Sequence, residues 1–217
     1  MPLYHLHQSP VIGIWKIAET WQAMLEMFQN KTLYAEEALK MKSDKRKCEW
    51  LAIRLLLKHL TGTEMIVGYR DNGSPFLINS RYHISISHTK DYAALILSEN
   101  PDPGIDIERQ SERAWKLREK FMNEKELKQF ALLFAKAPPD KEIIARQATL
   151  ATIYWCAKET AYKALQSKEV DFIEHLHIAP FTASDKGIIC LKETKTPIQM
   201  SYHMHYHLFD DFVLTYL

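Results

Sequence analysis

Two short stretches of opposite periodicity set the strongest limit on the fold of this chain. Residues 104–108 read Gly-Ile-Asp-Ile-Glu. Ile105 and Ile107 alternate with Asp106 and Glu108, which is the period of a strand. Both carboxylates therefore leave one face, ~6.5–7 Å apart along the chain. Residues 155–163 read Trp-Cys-Ala-Lys-Glu-Thr-Ala-Tyr-Lys. Trp155, Glu159 and Lys163 recur every four residues, so they stack along one helix face, each roughly 6 Å above the last. The chain must form both a charged strand and a charged helix, and its fold class is α+β.

The rest of the sequence repeats that alternation. Leu3–His7 and Val11–Ile17 read as a strand pair around Ser9-Pro10, and Thr20–Gln29 as a short helix. Ser43 caps a longer helix ending near Leu60, with Thr61-Gly62 as its stop. Glu64–Tyr69 is strand-like and runs into a turn at Asp71–Pro75. Tyr82–Ser87 and Tyr92–Ser98 read as a hairpin joined by His88–Asp91. Pro101-Asp-Pro103 is the clearest linker, which divides the chain into residues 1–100 and 101–217. Ser111–Lys120 and Asn123–Lys136 are expected helices, Pro138-Pro139 breaks the second, and Asp140 starts a long helix to about Gln166. The last quarter returns to strands.

The two halves echo each other. Tyr82–Ala94 aligns without a gap on Tyr202–Leu214, and Trp50, Arg54 and Lys58 match Trp155, Glu159 and Lys163. This predicts two pseudo-symmetric lobes, each a small antiparallel sheet packed with a long helix, around a cleft. Arg54 stands where the second half has Glu159, so only the second lobe would supply that carboxylate.

Bulk properties exclude several classes. At 217 residues the chain can bury a sizeable core. With 47% hydrophobic and 25% charged residues it has an ordinary globular composition, and a net charge of +1 argues against nucleic acid as a partner. No apolar run is long enough to span a membrane. The N-terminus lacks a signal-peptide layout, and Cys48, Cys156 and Cys190 share no metal-ligand spacing. A cytoplasmic location is expected.

Asp106, Glu108 and Glu159 are an all-oxygen donor set, which suits Mg²⁺ or Mn²⁺ better than zinc. Spacing alone leaves open an exposed strand face plus a surface pair of Glu159 with Lys163. Ser85, Ser87 and His88 at a hairpin mouth suit a phosphate or a nucleophile–base pair, or simply a polar exposed face. Lys45, Arg46, Lys47, Arg54 and Lys58 make a basic helix, either a solvated face or a polyanion surface. Asn123 with Glu126 reads as a capping box. His203, His205 and His207 share a strand face, but the internal echo maps two of them onto serines and argues against a metal there.

Gly104–Glu108, then Lys120–Glu126, then Trp155–Lys163 resemble in order the signature of 4′-phosphopantetheinyl transferases. Ser85–His88 followed by Tyr92–Leu95 resembles the segment that precedes it. The likeness spans roughly residues 40 to 217 and points to the larger, pseudo-dimeric class. It implies that coenzyme A binds in the cleft and that an apo acyl or peptidyl carrier protein is the partner. A carrier serine attacks the β-phosphorus, and adenosine 3′,5′-bisphosphate leaves. By resemblance Asp106, Glu108 and Glu159 hold Mg²⁺, Lys163 pairs with the pyrophosphate and Lys158 assists. Glu159, directly or through a metal-bound water, is the candidate base. His88 with Ser87 beside it, and Arg46, would meet coenzyme A phosphates, with the Ser74-Pro75 backbone cradling the adenine. Gly73-Ser74-Pro75 departs from the family's Gly-Lys-Pro. The protein is expected to be a monomer. Phe121, Met122, Phe130 and Phe134 are expected to pack in the core, with a carrier-docking patch as the alternative. A non-catalytic carrier or coenzyme A binding module, or another Mg²⁺-dependent phosphoryl enzyme, are the competing readings.

Overall fold

The structure, a computed structural model, describes residues 3–8, 10–135 and 140–217, and for residues 3–8 the backbone alone. Ser9, Lys136 and the Pro138-Pro139 break lie outside the described residues. The chain divides into two compact units, Met1–Pro103 and Gly104–Leu217. Both combine antiparallel sheet with helix, as an α+β chain should.

In the first unit β1 (Leu3–Gln8), β2 (Val11–Lys16), β5 (His83–Thr89) and β6 (Tyr92–Ser98) form a sheet in the order β1-β2-β6-β5. A separate ribbon pairs β3 (Val67–Tyr69) with β4 (Pro75–Leu77). The expected Thr20–Gln29 helix is shorter, α1 (Trp21–Leu25), capped by Thr20. A helix the sequence reading missed, α2 (Lys31–Leu39), follows; its periodicity is weak, and Asn30 caps it. Helix α3 (Asp44–Thr61) starts at the Ser43 cap, whose hydroxyl accepts from the Arg46 N–H. It stops at Gly62, whose φ of 74° is left-handed and ends the helix without a side-chain clash. Leu51, Leu55 and Leu56 of α3 pack with Ala93, Leu95 and Ile84 into this unit's core.

The second unit orders its sheet as β7-β11-β10-β9-β8: β7 (Ile105–Arg109), β8 (Leu176–Ile178), β9 (Lys186–Glu193), β10 (Ser201–Leu208) and β11 (Phe212–Tyr216). Helix α4 (Glu112–Leu117) continues into a 3-10 turn at Arg118–Lys120. Helix α5 (Glu124–Phe134) opens with the expected capping box of Asn123 and Glu126. Helix α6 (Lys141–Leu165) runs 25 residues from an Asp140 cap to a left-handed Gln166. Ile153, Ala157 and Ala161 of α6 join Ile189, Leu191 and Met204 in a second core. Phe121, Met122 and Phe130 lie in that core and Phe134 packs against it, as expected of core residues. Among the described residues, no helix is long and apolar enough to cross a membrane.

The echoed hairpins share a register. Laying Tyr82 on Tyr202 carries the facing pair Ile86–Leu95 of β5 and β6 onto Tyr206–Thr215 of β10 and β11.

Candidate active site

Strand β7 and helix α6 bring the two motif stretches together. Thr215 of β11 faces Asp106 in the ladder, and Thr160 of α6 contacts Thr215 through their hydroxyls. Asp106 therefore points at α6, where the Lys163 ammonium donates to its Oδ1 at 2.7 Å and to the Ile105 carbonyl at 3.0 Å. A missing side chain permits this approach. A Cβ on Gly104 would fall on the Thr160 carbonyl oxygen and lie 3.0 Å from its Cγ2. Lys163 thus pairs with the strand carboxylate rather than with Glu159 on its own helix.

The neighbouring groups fill in around that ion pair. The Trp155 indole N–H donates to Glu108 Oε1 at 3.2 Å. Trp155 is itself held between Phe121 and Phe172, with ring centroids 5.2 and 5.5 Å away. Burial pushes the Glu159 carboxyl up to about 7, Asp106 and Glu108 push the same way, and Lys163 pulls against them. Three carboxyls thus feel one another here. Among the described residues, however, they do not close into a ready three-ligand group. Like charges repel, and Lys163 pairs with Asp106. The donors are hard oxygens, the type a small divalent ion takes, but the Lys163 ammonium is the cation that Asp106 holds here.

A model of the 4′-phosphopantetheinyl transferase superfamily matches residues 102–217. The chain belongs to this superfamily. No curated protein matches the chain. The matched span covers the second unit with every residue just described.

Within this superfamily member, Lys158 sits differently from the expected catalytic helper. It is fully buried, and its three ammonium protons go to Glu126 Oε2 at 2.7 Å, the Phe121 carbonyl at 2.7 Å and the Phe172 carbonyl at 2.9 Å. No donor remains for a substrate. The same Glu126 accepts from the N–H groups of Asn123 and Ile178. The helix turn from Lys158 to Glu159 passes from core to site.

Sequence reasoning also missed a cavity of about 370 Å³ beside Glu108. Its walls include Phe121, Trp155 and Thr152, with Arg113 and Lys120 among the lining. No single stretch signals it, because α4, α6 and the 3-10 turn all contribute.

The first unit holds the remaining candidates. His88 belongs to β5, opposite Ala93, and not to the turn that follows. Alternation then puts the Ser87 side chain on the other face from His88, with Ser85. Ser85 and Ser87 are buried while His88 is exposed. Arg46 of α3 reaches His88, Nη1 to Nε2, at 2.7 Å. Ser74 is held in its turn by Asn72, and Arg70 Nη1 donates to Ser74 Oγ at 3.3 Å and to the Pro75 carbonyl at 3.4 Å. A guanidinium thus stands beside the turn where the family pattern has lysine. Arg54, which the sequence echo aligns with Glu159, is buried with its guanidinium 3.5 Å from the Trp50 ring centre.

Of the three alternating histidines, His205 and His207 stack on Tyr216, and His203 meets the Cys190 sulfur at 3.2 Å. They are accounted for by packing.

Proposed function

We propose that the chain transfers 4′-phosphopantetheine from coenzyme A to a serine of an apo acyl or peptidyl carrier protein. The observation that carries this is the Asp106–Lys163 ion pair, which joins the strand motif to the helix motif within the matched span. Phosphoryl transfer asks mostly for positioning and charge neutralisation. Lys163 can pass from Asp106 to a pyrophosphate oxygen, a stronger anionic partner. Asp106, Glu108 and Glu159 would hold Mg²⁺ or Mn²⁺. The bound cation would offset charge growing on the pyrophosphate as the bond breaks.

In this reading the serine oxygen forms a bond to the β-phosphorus. The bond from that phosphorus to the bridging oxygen breaks, and adenosine 3′,5′-bisphosphate departs. Glu159 is the carboxylate placed to take the serine proton. Lys158 has no part in the chemistry. Arg46 and His88 are proposed as contacts to a coenzyme A phosphate. The cavity beside Glu108 has the size of a small-molecule site and offers the pantetheine arm both apolar walls and polar groups.

The test is direct. The protein is incubated with coenzyme A, Mg²⁺ and each of several apo carriers, and the carriers are weighed by mass spectrometry. One carrier gaining one phosphopantetheine is the expected result. No gain on any carrier would sink the reading.

A further inference from the structure

Glu49 carries a buried carboxylate, 7% exposed, at the second turn of α3. Three cationic or cation-forming groups surround it. Lys45 Nζ lies 3.6 Å from Oε1; Arg46 Nη1 lies 3.5 Å and His88 Nδ1 3.6 Å from Oε2. These are ion-pair distances, longer than good hydrogen bonds. Arg46 and His88 meanwhile touch each other at 2.7 Å. That contact needs an explanation. A guanidinium and an imidazolium repel, and both side chains have open solvent to turn into, at 50% and 39% exposed.

We propose that Glu49 is a positioning residue that holds Arg46 and His88 together as a phosphate-binding pair. The proposal rests on the coenzyme A reading above and assigns a residue that reading did not use. Helix spacing puts Arg46 and Glu49 three apart on one face of α3. Strand alternation puts His88 on the face of β5 that also carries Ile84 and Ile86, both packed with α3 in the first core. The buried carboxylate lies behind both donors. It draws the imidazole proton to Nδ1, so Nε2 accepts from Arg46 when no anion is bound. When a phosphate arrives, Arg46 turns its N–H to the phosphate oxygens. His88 takes up a proton and donates from Nε2, and Glu49 supplies the countercharge for the imidazolium. A carboxylate behind a ring nitrogen fixes both tautomer and orientation in this way.

The proposal separates two kinds of phosphate by experiment. Full-length wild type, Glu49→Gln, Arg46→Ala and the double variant are titrated with adenosine 3′,5′-bisphosphate and with adenosine 5′-phosphate by calorimetry. Coenzyme A and its 3′-dephospho form are then compared in the carrier assay. Expected for Glu49→Gln are nucleotide affinity weakened roughly 10-fold, a matching rise in KM and kcat within about 2-fold. Adding Glu49→Gln to Arg46→Ala should cost no more than Arg46→Ala alone, and Glu49→Asp should recover part of the binding. If the loss is confined to the 3′-phosphorylated ligands, the pair grips that phosphate. If both coenzyme forms lose equally, it grips the pyrophosphate; either result supports the role of Glu49. Wild-type affinity in Glu49→Gln, or losses that add to those of Arg46→Ala, overturns it, as does wild type binding neither nucleotide. A carrier that gains no mass while nucleotide binding stays intact counts against the transferase reading instead.

Discussion

Glu159 keeps its proton to about pH 7 in the folded protein, against 4.5 for an ordinary glutamate. The sign of the linked effect follows. Between those values the native state holds a proton that the unfolded state has released, so stability falls as pH rises. The contribution is complete below about 4.5 and gone above about 7. Glu159→Gln should therefore melt higher than wild type at alkaline pH in EDTA and flatten the decline across that window. Differential scanning calorimetry at several pH values reads this; parallel curves for the two proteins would refute it. Trp155 makes a second residue-scale case. Trp155→Phe keeps the aromatic packing and deletes the donor to Glu108. Losing such an outer hydrogen bond typically costs a metal site 10- to 100-fold. With Glu108 in the proposed Mg²⁺ set, the Mg²⁺ concentration giving half-maximal transferase activity should rise about 10-fold, with little change in melting temperature.

At the scale of elements, the Glu126–Lys158 pair ties α5, α6 and β8 together. Glu126 caps α5 and holds the Ile178 N–H of β8, while Lys158 draws in the carbonyls of Phe121 and Phe172. Both side chains are out of solvent, so removing one leaves the other charge uncompensated. Lys158→Met should destabilise by about 3–5 kcal/mol, and Lys158→Met with Glu126→Gln by less than either single change. Urea unfolding of the three variants tests this, and a double variant weaker than Lys158→Met would contradict it. The motif helix is thus anchored by a lysine whose ammonium is held entirely within the core.

Across the whole molecule a net charge of +1 gives no general pull on an anionic ligand. Any steering must be local, as along the Lys45–Lys47 turn of α3. KM for coenzyme A should then climb several-fold from about 0.05 to 0.5 M salt while kcat holds within about 2-fold. A salt-independent KM would remove the basic turn from coenzyme A binding. Periodicity and caps located α3, α5 and α6 well, because Ser43, Gly62, Asn123 and Asp140 act through their own few neighbours. The roles of Lys158, Ser87 and Trp155 were not legible, because tertiary packing decides which face of a helix or strand is covered. α2 escaped notice for want of an amphipathic period, and the cavity for want of a contiguous stretch. The helix carrying Trp155, Lys158, Glu159 and Lys163 therefore sets a core anchor and a proposed site group side by side. On the reading proposed above, a descendant that abandoned the reaction yet stayed folded would shed Glu159 and Lys163 and retain Lys158, so the lysine alone would be a poor witness to surviving activity.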